Sequence, residues 1–336
     1  MKKVSAKAAI EKYGSLAKHR AFLGKPPKKG SVVPFPCDAA VVFAKQVAGL
    51  VRRLKAVPGR DIAIGLSGGL DSALALLVAV AAYAKLGLDK RGLHVYTMPG
   101  FGTTRRTKGN AELLCEGLGV KLETISIVKA CRQHFKDIGH DGKTPDVTYE
   151  NAQARMRTLI LMDKANMTGG FVLGTGDLSE IALGWCTYNG DHMAMFAVNN
   201  DVPKTVVRKI CRWWAGENPG KAADAILDIV ATPVSPELVK GQVTENAIGP
   251  YELHDFFLWN FIMNEMGSRD LQSAAERYFA GRYAKHEIAA TLSTFMRRFF
   301  TQAFKRNCQC DGVKVFPFEL SPHGWWIPSE LGIVKL

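Results

Sequence analysis

The sequence lacks an apolar run long enough to cross a lipid bilayer. A membrane-spanning helix needs roughly 18 or more successive apolar residues, and no such run occurs among the 336 residues. The N-terminus is dotted with lysines and lacks the apolar centre of a secretion signal. These absences argue against a membrane protein, and we expect a cytoplasmic location.

Cysteine is too sparse and too scattered for a disulfide framework. The chain has seven cysteines, an odd number, and Cys308 and Cys310 form the only close pair. One intervening residue is not the C-x-x-C spacing of zinc or redox sites. We therefore expect reduced structural thiols.

Net positive charge is scarce outside the beginning of the chain. The total is +13, but residues 1–60 contain 14 Lys or Arg against 2 Asp or Glu, so about +1 remains for the rest. Residues 1–32 are predicted to be a basic leader or linker, which can be a solvated tail or can contact RNA, a partner or an acidic substrate. A nearly neutral body makes nucleic acid an unlikely partner for the body itself.

Two common nucleotide-binding motifs are absent, but a third kind of loop is present. The chain has no Gly-Lys-Ser/Thr and no Gly-x-Gly-x-x-Gly. It does have the segment Ile64-Gly-Leu-Ser-Gly-Gly-Leu-Asp-Ser72, between an apolar strand at 61–66 and a charge-free apolar run at 73–84. The pattern predicts a glycine-rich turn between a buried strand and a buried helix.

This turn is suited to hold phosphates. The backbone N–H groups of Ser67, Gly68 and Gly69 can converge on an anion at the helix N-terminus, and Ser72 adds a hydroxyl. The carboxylate of Asp71 would repel phosphate oxygens unless a divalent cation lay between them, so we interpret it as a magnesium ligand. The alternative is that the glycines form a tight turn and Asp71 caps the helix without any ligand.

Strand and helix patterns alternate through the first two thirds of the chain. Alternation of this kind predicts an α/β fold with a doubly wound parallel sheet. The predicted strands are 61–66, 93–98, 121–127 and 171–173; the predicted helices are 38–57, 72–86, 105–118, 128–138, 149–166, 204–216, 221–230, 251–265, 270–282 and 285–306. The tail after Cys308 is expected to be irregular but packed.

A second polar loop follows another predicted strand. Gly174-Thr-Gly-Asp-Leu-Ser-Glu180 comes directly after the strand at 171–173. Ligands collect at the carboxyl ends of strands in doubly wound sheets, so we expect the two loops to form one site.

The chain carries four separated motifs in this order: Ser67–Ser72, Tyr149–Arg157, Gly174–Trp185 and Val202–Thr205. Together they resemble NAD synthetase. Three further segments are similar to the synthetase half of the glutamine-dependent form: Trp185–Tyr188, Gly249–Phe256 and Phe304–Arg306. The resemblance covers roughly residues 33–329. The resemblance implies a fold of the PP-loop (adenine nucleotide alpha hydrolase-like) type with a helical C-terminal extension. We therefore treat residues 33–336 as one NAD synthetase domain. It consists of a nucleotide-binding α/β core at 33–205 and a mainly helical part at 206–336.

The resemblance also implies a reaction. ATP converts the nicotinate carboxylate of deamido-NAD to an acyl adenylate and releases pyrophosphate, and ammonia then displaces AMP to give NAD. The task of such a protein is mainly to position the reactants and to neutralise charge.

By this resemblance, two groups of residues carry the site. The implied ATP-binding residues are Gly65, Leu66, Ser67, Gly68, Gly69, Leu70, Asp71, Ser72, Thr175 and Lys204. The implied deamido-NAD-binding residues are Asn151, Arg155, Glu180, Trp185, Cys186, Thr187, Tyr188 and Lys305. Asp71 and Glu180 would bind Mg²⁺.

Each of these roles has a structural alternative. Glu180 can be an acid favoured by the dipole of a helix first turn, and Lys204 an exposed first-turn residue. Trp185 and Tyr188 can be core aromatics. Arg155 and Arg157 can be solvated helix charges, although we expect at least one of them to contact the ligand. Cys186 as a nucleophile is the least favoured interpretation.

The chain departs from the glutamine-dependent form in one respect. That form normally carries an N-terminal nitrilase-like glutaminase, for which the 60 residues before the nucleotide loop have no room. The chain would then use free ammonia or ammonia from a separate glutaminase, or be a fragment of a longer enzyme.

By analogy we expect a homodimer, with the helices at 38–57 and 149–166 as candidate surfaces. The competing function is a PP-loop tRNA-modifying or other adenylating ligase; a regulator that retains only the loop is a weaker alternative.

Overall fold

A computed structural model describes residues 32, 34–235, 238–239, 241 and 243–321. The predicted basic leader lies outside the described residues apart from Val32, as does the end of the tail. Within the described part, the strands are β1 (Ile62–Gly65), β2 (Leu93–Thr97), β3 (Leu122–Thr124), β4 (Phe171–Gly174) and β5 (Phe196–Ala197). The α-helices of the same residues are α1 (Ala39–Ala56), α2 (Leu70–Leu86), α3 (Arg105–Leu118), α4 (Val128–Asp137), α5 (Val147–Thr168), α6 (Leu178–Leu183), α7 (Lys204–Glu217), α8 (Lys221–Ala231), α9 (Thr244–Ile248), α10 (Tyr251–Met263), α11 (Ser268–Tyr278) and α12 (Lys285–Thr301).

The five strands form one parallel sheet in the order β3-β2-β1-β4-β5. The chain runs outward from β1 to β2 and β3, then returns to place β4 on the other side of β1. The winding direction therefore reverses between β1 and β4, and a crevice opens there at the carboxyl ends of the strands. The predicted doubly wound α/β fold is confirmed.

Alternate residues of β1, β2 and β4 enter different hydrophobic clusters, as the pleat requires. Ile62 and Ile64 pack with α2, whereas Ala63 packs with residues of α4 and α5 on the opposite face. The sheet is thus covered on both sides, which is usual for parallel sheets.

Helix α2 is the central helix of the first face. All residues from Ala73 to Ala79 are buried, because α1 and α7 pack against this helix. Helix α1 begins at the cap residue Asp38, whose side chain accepts a hydrogen bond from the Val41 N–H at 3.1 Å. Its buried face includes Leu50 and Leu54.

The described residues after Lys204 are mainly helical. Helices α10, α11 and α12 pack together through aromatic side chains such as Phe256, Phe279 and Phe295. The described part of the tail is irregular and packed, with Val315 and Phe316 buried. The proposed division at 205/206 stays a prediction. No helix among the described residues is both long enough and apolar enough to span a bilayer.

Some predicted elements were wrong in extent. The strand predicted at 121–127 ends at Thr124, although Ile125 N–H and Ile127 N–H still donate to Thr97 O and Pro99 O. The helix predicted at 285–306 ends at Thr301, and a 3₁₀ helix, Ala303–Cys308, follows. Helices α6 and α9 and strand β5 were missed, because elements of two to six residues carry too little periodicity to detect.

We predict that buried His254 makes folding stability depend on pH. Burial lowers its pKa to about 4, whereas an unfolded chain has about 6.5. The unfolded state therefore binds the proton first, so the stability from His254 is complete above pH 6.5 and is lost as the pH falls from 6.5 to 4. Between pH 7 and pH 5, the free energy of unfolding of His254→Gln should fall by about 2 kcal/mol less than that of the wild type. Urea unfolding at both pH values measures this difference. The control is His134→Gln on an exposed histidine of α4; equal pH dependence in both variants would contradict the prediction.

Candidate active site

The loop after β1 is held in shape by its own serines. The Ser67 hydroxyl lies 3.1 Å from the Ser72 hydroxyl and accepts a hydrogen bond from the Gly69 N–H at 3.1 Å. The Ser72 hydroxyl in turn donates to Gly69 O at 3.1 Å. Gly69 is the N-cap of α2 and has no side-chain cap. The N–H groups of Ser67 and Gly69, which were predicted to face an anion, instead donate to serine hydroxyls of the loop. The uncapped first turn of α2 presents the backbone N–H groups that can bind an anion.

Gly68 is required in this loop for two reasons. Its φ of +82° is in the left-handed region that favours glycine, and a Cβ there would lie 2.0 Å from Thr107 O in α3. The neighbouring atom is backbone, so it cannot move aside as a flexible side chain could. Any larger residue must displace the loop.

The loop after β4 provides a second helix N-terminus. Asp177 caps the short helix α6 by accepting a hydrogen bond from the Glu180 N–H at 2.8 Å. Glu180 in the first turn projects toward the first loop. Both loops therefore bring carboxylates to the point where the winding of the sheet reverses.

One ammonium group joins these carboxylates. Lys204 Nζ lies 2.5 Å from Asp71 Oδ2, 2.9 Å from Glu180 Oε1 and 3.0 Å from Asp177 Oδ2. The Lys204 side chain is only 1% exposed, whereas Asp71 and Glu180 keep 20% and 21% exposure. The ring of Tyr251 lies 5.2 Å from the ammonium. Three carboxylates facing one cation leave the cluster net negative when all are ionised.

Burial controls the protonation of this cluster. Burial raises the pKa of Glu180 to about 7 against the opposing effect of Lys204, and it raises the pKa of Asp177 well above the usual range. Burial lowers the pKa of Lys204, but Asp177, Asp71 and Glu180 more than offset this effect and raise it overall. Lys204 therefore stays charged.

A cavity of about 930 Å³ opens in front of both loops. Its volume lies at the upper end of the range of ordinary ligand sites. Sixteen of the residues predicted from the sequence line it: Gly65, Leu66, Ser67, Gly68, Gly69, Leu70, Asp71, Ser72, Thr175, Asn151, Glu180, Trp185, Cys186, Thr187, Tyr188 and Lys305. Lys204 lies behind the carboxylates, and Arg155 is not among the lining residues. Direct contact of either residue with a substrate stays a prediction.

Several of the predicted residues support the strip Trp185–Tyr188. Lys305 Nζ donates to Gly184 O at 2.9 Å and to Cys186 O at 2.6 Å. Arg155 Nε donates to Tyr188 O at 3.2 Å, and the Thr187 hydroxyl donates to Asn151 Oδ1 at 2.8 Å. The strip is therefore fixed from three sides.

The aromatic residues of the strip are partly exposed. The Arg298 guanidinium lies 4.8 Å from the Trp185 ring, and the Tyr188 ring packs 5.4 Å from Phe304. Rings held this way at a cavity wall can stack on planar ligand groups. Burial raises the pKa of the Cys186 thiol strongly, so a thiolate nucleophile is disfavoured there.

The sequence argument missed some residues of the site. Asp177 joins the carboxylate cluster, and three arginines that were not predicted, Arg106, Arg208 and Arg298, line the cavity. Arg157, which was considered together with Arg155, lines it as well. Arg106 forms an ion pair with Asp228 at 2.5 Å, and Arg157 Nε donates to Met98 O at 3.0 Å. Asp177 could have been found from its N-cap position before a short apolar segment.

Comparison with known proteins identifies the family. A model of the NAD synthase family matches residues 42–288. The chain belongs to the NAD synthase family. It is 38% identical over 327 residues to the glutamine-dependent NAD(+) synthetase of Mycobacterium tuberculosis, a match that covers 88% of this chain and 48% of that protein. The chain thus spans about half the length of the curated relatives it matches.

Solved structures of similar proteins agree on the fold. The glutamine-dependent NAD(+) synthetase of Cytophaga hutchinsonii superposes with a TM-score of 0.70 at 18% identity, over 87% of this chain and 54% of that chain. The NMN synthetase of Francisella tularensis gives a TM-score of 0.58 at 25% identity, over 75% of this chain and 96% of that chain. These similarities confirm the predicted PP-loop type of fold.

We predict that Gly68→Ala weakens ATP binding. The variant must accept a positive φ and move the loop away from Thr107 O, so affinity for ATP measured by calorimetry should fall about 10-fold or more, equivalent to about 1.4 kcal/mol. Gly87→Ala is the control, because Gly87 has a φ of +63° at the other end of α2 and open space around a Cβ. It should cost about 1 kcal/mol of stability and leave ATP affinity unchanged; equal ATP binding in both variants would refute the role of the Gly68 contact.

Proposed function

We propose that this chain amidates deamido-NAD to NAD with ATP and ammonia as co-substrates. The observation that carries the proposal is the pair of strand-end loops, which place anion-binding N–H groups, two partly exposed carboxylates and an aromatic strip around one cavity. Membership of the NAD synthase family supports the amidation. It also favours amidation over the RNA-modifying alternative.

The first step in this proposal activates a carboxylate. An oxygen of the nicotinate carboxylate attacks the α-phosphorus of ATP, and the bond to the β-phosphate oxygen breaks to release pyrophosphate. The loop Gly65–Ser72 would hold the phosphates at the first turn of α2, whose N–H groups have no side-chain cap. Charge on the leaving group is the main obstacle, so fixed positive dipoles there lower the barrier.

Two carboxylates fit the requirements of Mg²⁺. Asp71 Oδ1 is buried and has no hydrogen-bond partner among the described residues, which leaves an oxygen available to a cation. Glu180 supplies a second carboxylate from the other loop. Magnesium typically takes one or two protein carboxylates together with phosphates and water. When bound, it would neutralise phosphate charge and stabilise the departing pyrophosphate.

The second step replaces AMP by nitrogen. The lone pair of ammonia attacks the carbonyl carbon of the adenylate, AMP leaves with the bonding electrons, and a proton is lost to give the amide. The strip Trp185–Tyr188 would hold the nicotinate end. Lys305 and Arg155 donate to its backbone carbonyls, and Asn151 accepts from the Thr187 hydroxyl. Fixing a reactant beside its partner lowers the entropic barrier of such a step.

Further proposals concern the oligomeric state, the location and the ammonia source of the enzyme. Helix α5 exposes Leu159 and Met167, which supports it as a homodimer surface, whereas the buried face of α1 packs on α2 and α7. The cytoplasmic location and a separate glutaminase as ammonia source stay predictions from the sequence.

We predict that the purified chain forms NAD with ammonium and not with glutamine. The assay combines ATP, Mg²⁺ and deamido-NAD with either nitrogen donor, and it separates NAD from substrate by chromatography. A parallel reaction replaces deamido-NAD by its mononucleotide counterpart, because the structural relative from Francisella tularensis is an NMN synthetase. Product from glutamine would contradict the proposed nitrogen donor, and preference for the mononucleotide would contradict the proposed substrate.

We predict that Asp71→Asn loses catalysis through the loss of magnesium. The neutral amide is a poor Mg²⁺ ligand, so kcat/KM should fall about 100- to 1,000-fold and the Mg²⁺ requirement should shift to higher concentration. Asp61→Asn is the control, since Asp61 lies before the amino end of β1 and pairs with His94 instead. An unchanged Mg²⁺ dependence in Asp71→Asn would rule out Asp71 as a ligand.

A further inference from the structure

Asn199 connects the two loops that carry the acidic residues. It follows β5 at the carboxyl edge of the sheet, and its side-chain Nδ2 donates to Asp71 O at 2.9 Å and to Thr175 O at 3.0 Å. Asp71 is in the first turn of α2 after β1, and Thr175 follows β4. One amide group therefore spans both sides of the crevice from a third strand.

The orientation of this amide is set by its partners. Both carbonyl oxygens can only accept, so the Asn199 nitrogen must face them. Asn199 Oδ1 accepts from Gln46 Nε2 at 2.9 Å, and Gln46 Nε2 also donates to Val198 O at 2.9 Å. A flipped Gln46 would place an oxygen against a carbonyl oxygen, so α1 fixes the orientation of both amides.

This connection lies in the protein interior. Asn199 and Gln46 are both 0% exposed. A carboxylate or an apolar side chain at position 199 would leave both carbonyl oxygens without that donor. The Asn199 amide bonds to both main chains directly, whereas Lys204 joins the same loops only through their side chains.

We infer that Asn199, held by Gln46, is a positioning residue that fixes the distance between the phosphate loop and the loop after β4. It acts through Asp71 and Thr175 and not by contact with a substrate. The nucleotide assigned to these loops rests on the proposed function. Supporting residues of this kind typically affect metal affinity or activity by about 10- to 100-fold.

The test measures binding of MgATP and of deamido-NAD separately by calorimetry. Asn199→Ala should weaken MgATP binding about 10- to 100-fold and leave deamido-NAD affinity within about 2-fold, because the strip Trp185–Tyr188 is held by other bonds. The control is Asn260→Ala, which removes a buried amide in α10 whose Nδ2 donates to Phe256 O within the same helix. It should lose stability without selective loss of MgATP.

Each outcome decides the inference. MgATP affinity equal to that of the control, or an equal loss of both ligands, overturns it. If Asn199→Ala does not fold, Gln46→Ala replaces it, since it removes the bonds to Asn199 Oδ1 and Val198 O and leaves the Asn199 donor group in place; unchanged MgATP affinity in that variant also overturns the inference. A wild-type chain that binds MgATP but forms no NAD would refute the proposed function while leaving this binding test intact.

Discussion

The buried ammonium of Lys204 holds the candidate site together. Isolated carboxylates or ammonium groups are costly to bury, and they persist inside proteins only when paired. Lys204 lies within 3.0 Å of carboxylates from both loops. The loops after β1 and β4 can therefore approach each other although each carries negative charge. Without this cation, the repulsion among Asp71, Asp177 and Glu180 would oppose the closed crevice.

Around the carboxylate cluster, the residues that support the loops are separate from the residues that face the cavity. Lys204, Asn199 and Asp255 lie behind the loops and bond to their backbones or side chains. Asp255 links the two helices that begin at the site, because it accepts from the Ser179 hydroxyl at 2.5 Å and from Thr205 N–H at 2.9 Å. The residues that line the cavity present partly exposed oxygens and rings to it. Rigid support of this kind is what a reaction that depends on positioning requires.

The order of strands and helices was predictable from the sequence, whereas the contacts between distant side chains were not. The strand and helix alternation gave the sheet, because buried strands and the apolar helix α2 have strong periodic signals. The loop Gly65–Ser72 was recognisable because glycine, serine and aspartate occur there at fixed spacing. The enclosure of Lys204 by three carboxylates, however, was not predicted. Contacts between residues 133 positions apart, such as Lys204 and Asp71, leave no local signal. The same holds for Asn199 and Gln46, which come from different elements and meet only through the fold.

The most direct test of the proposed chemistry follows an oxygen atom. Deamido-NAD labelled with ¹⁸O in the nicotinate carboxylate is incubated with the chain, ATP, Mg²⁺ and ammonium, and the AMP produced is analysed by mass spectrometry. Attack of the carboxylate on the α-phosphorus transfers one labelled oxygen to AMP, so we expect one ¹⁸O per AMP and release of pyrophosphate. Unlabelled AMP, or release of ADP and phosphate instead, would contradict activation through an acyl adenylate.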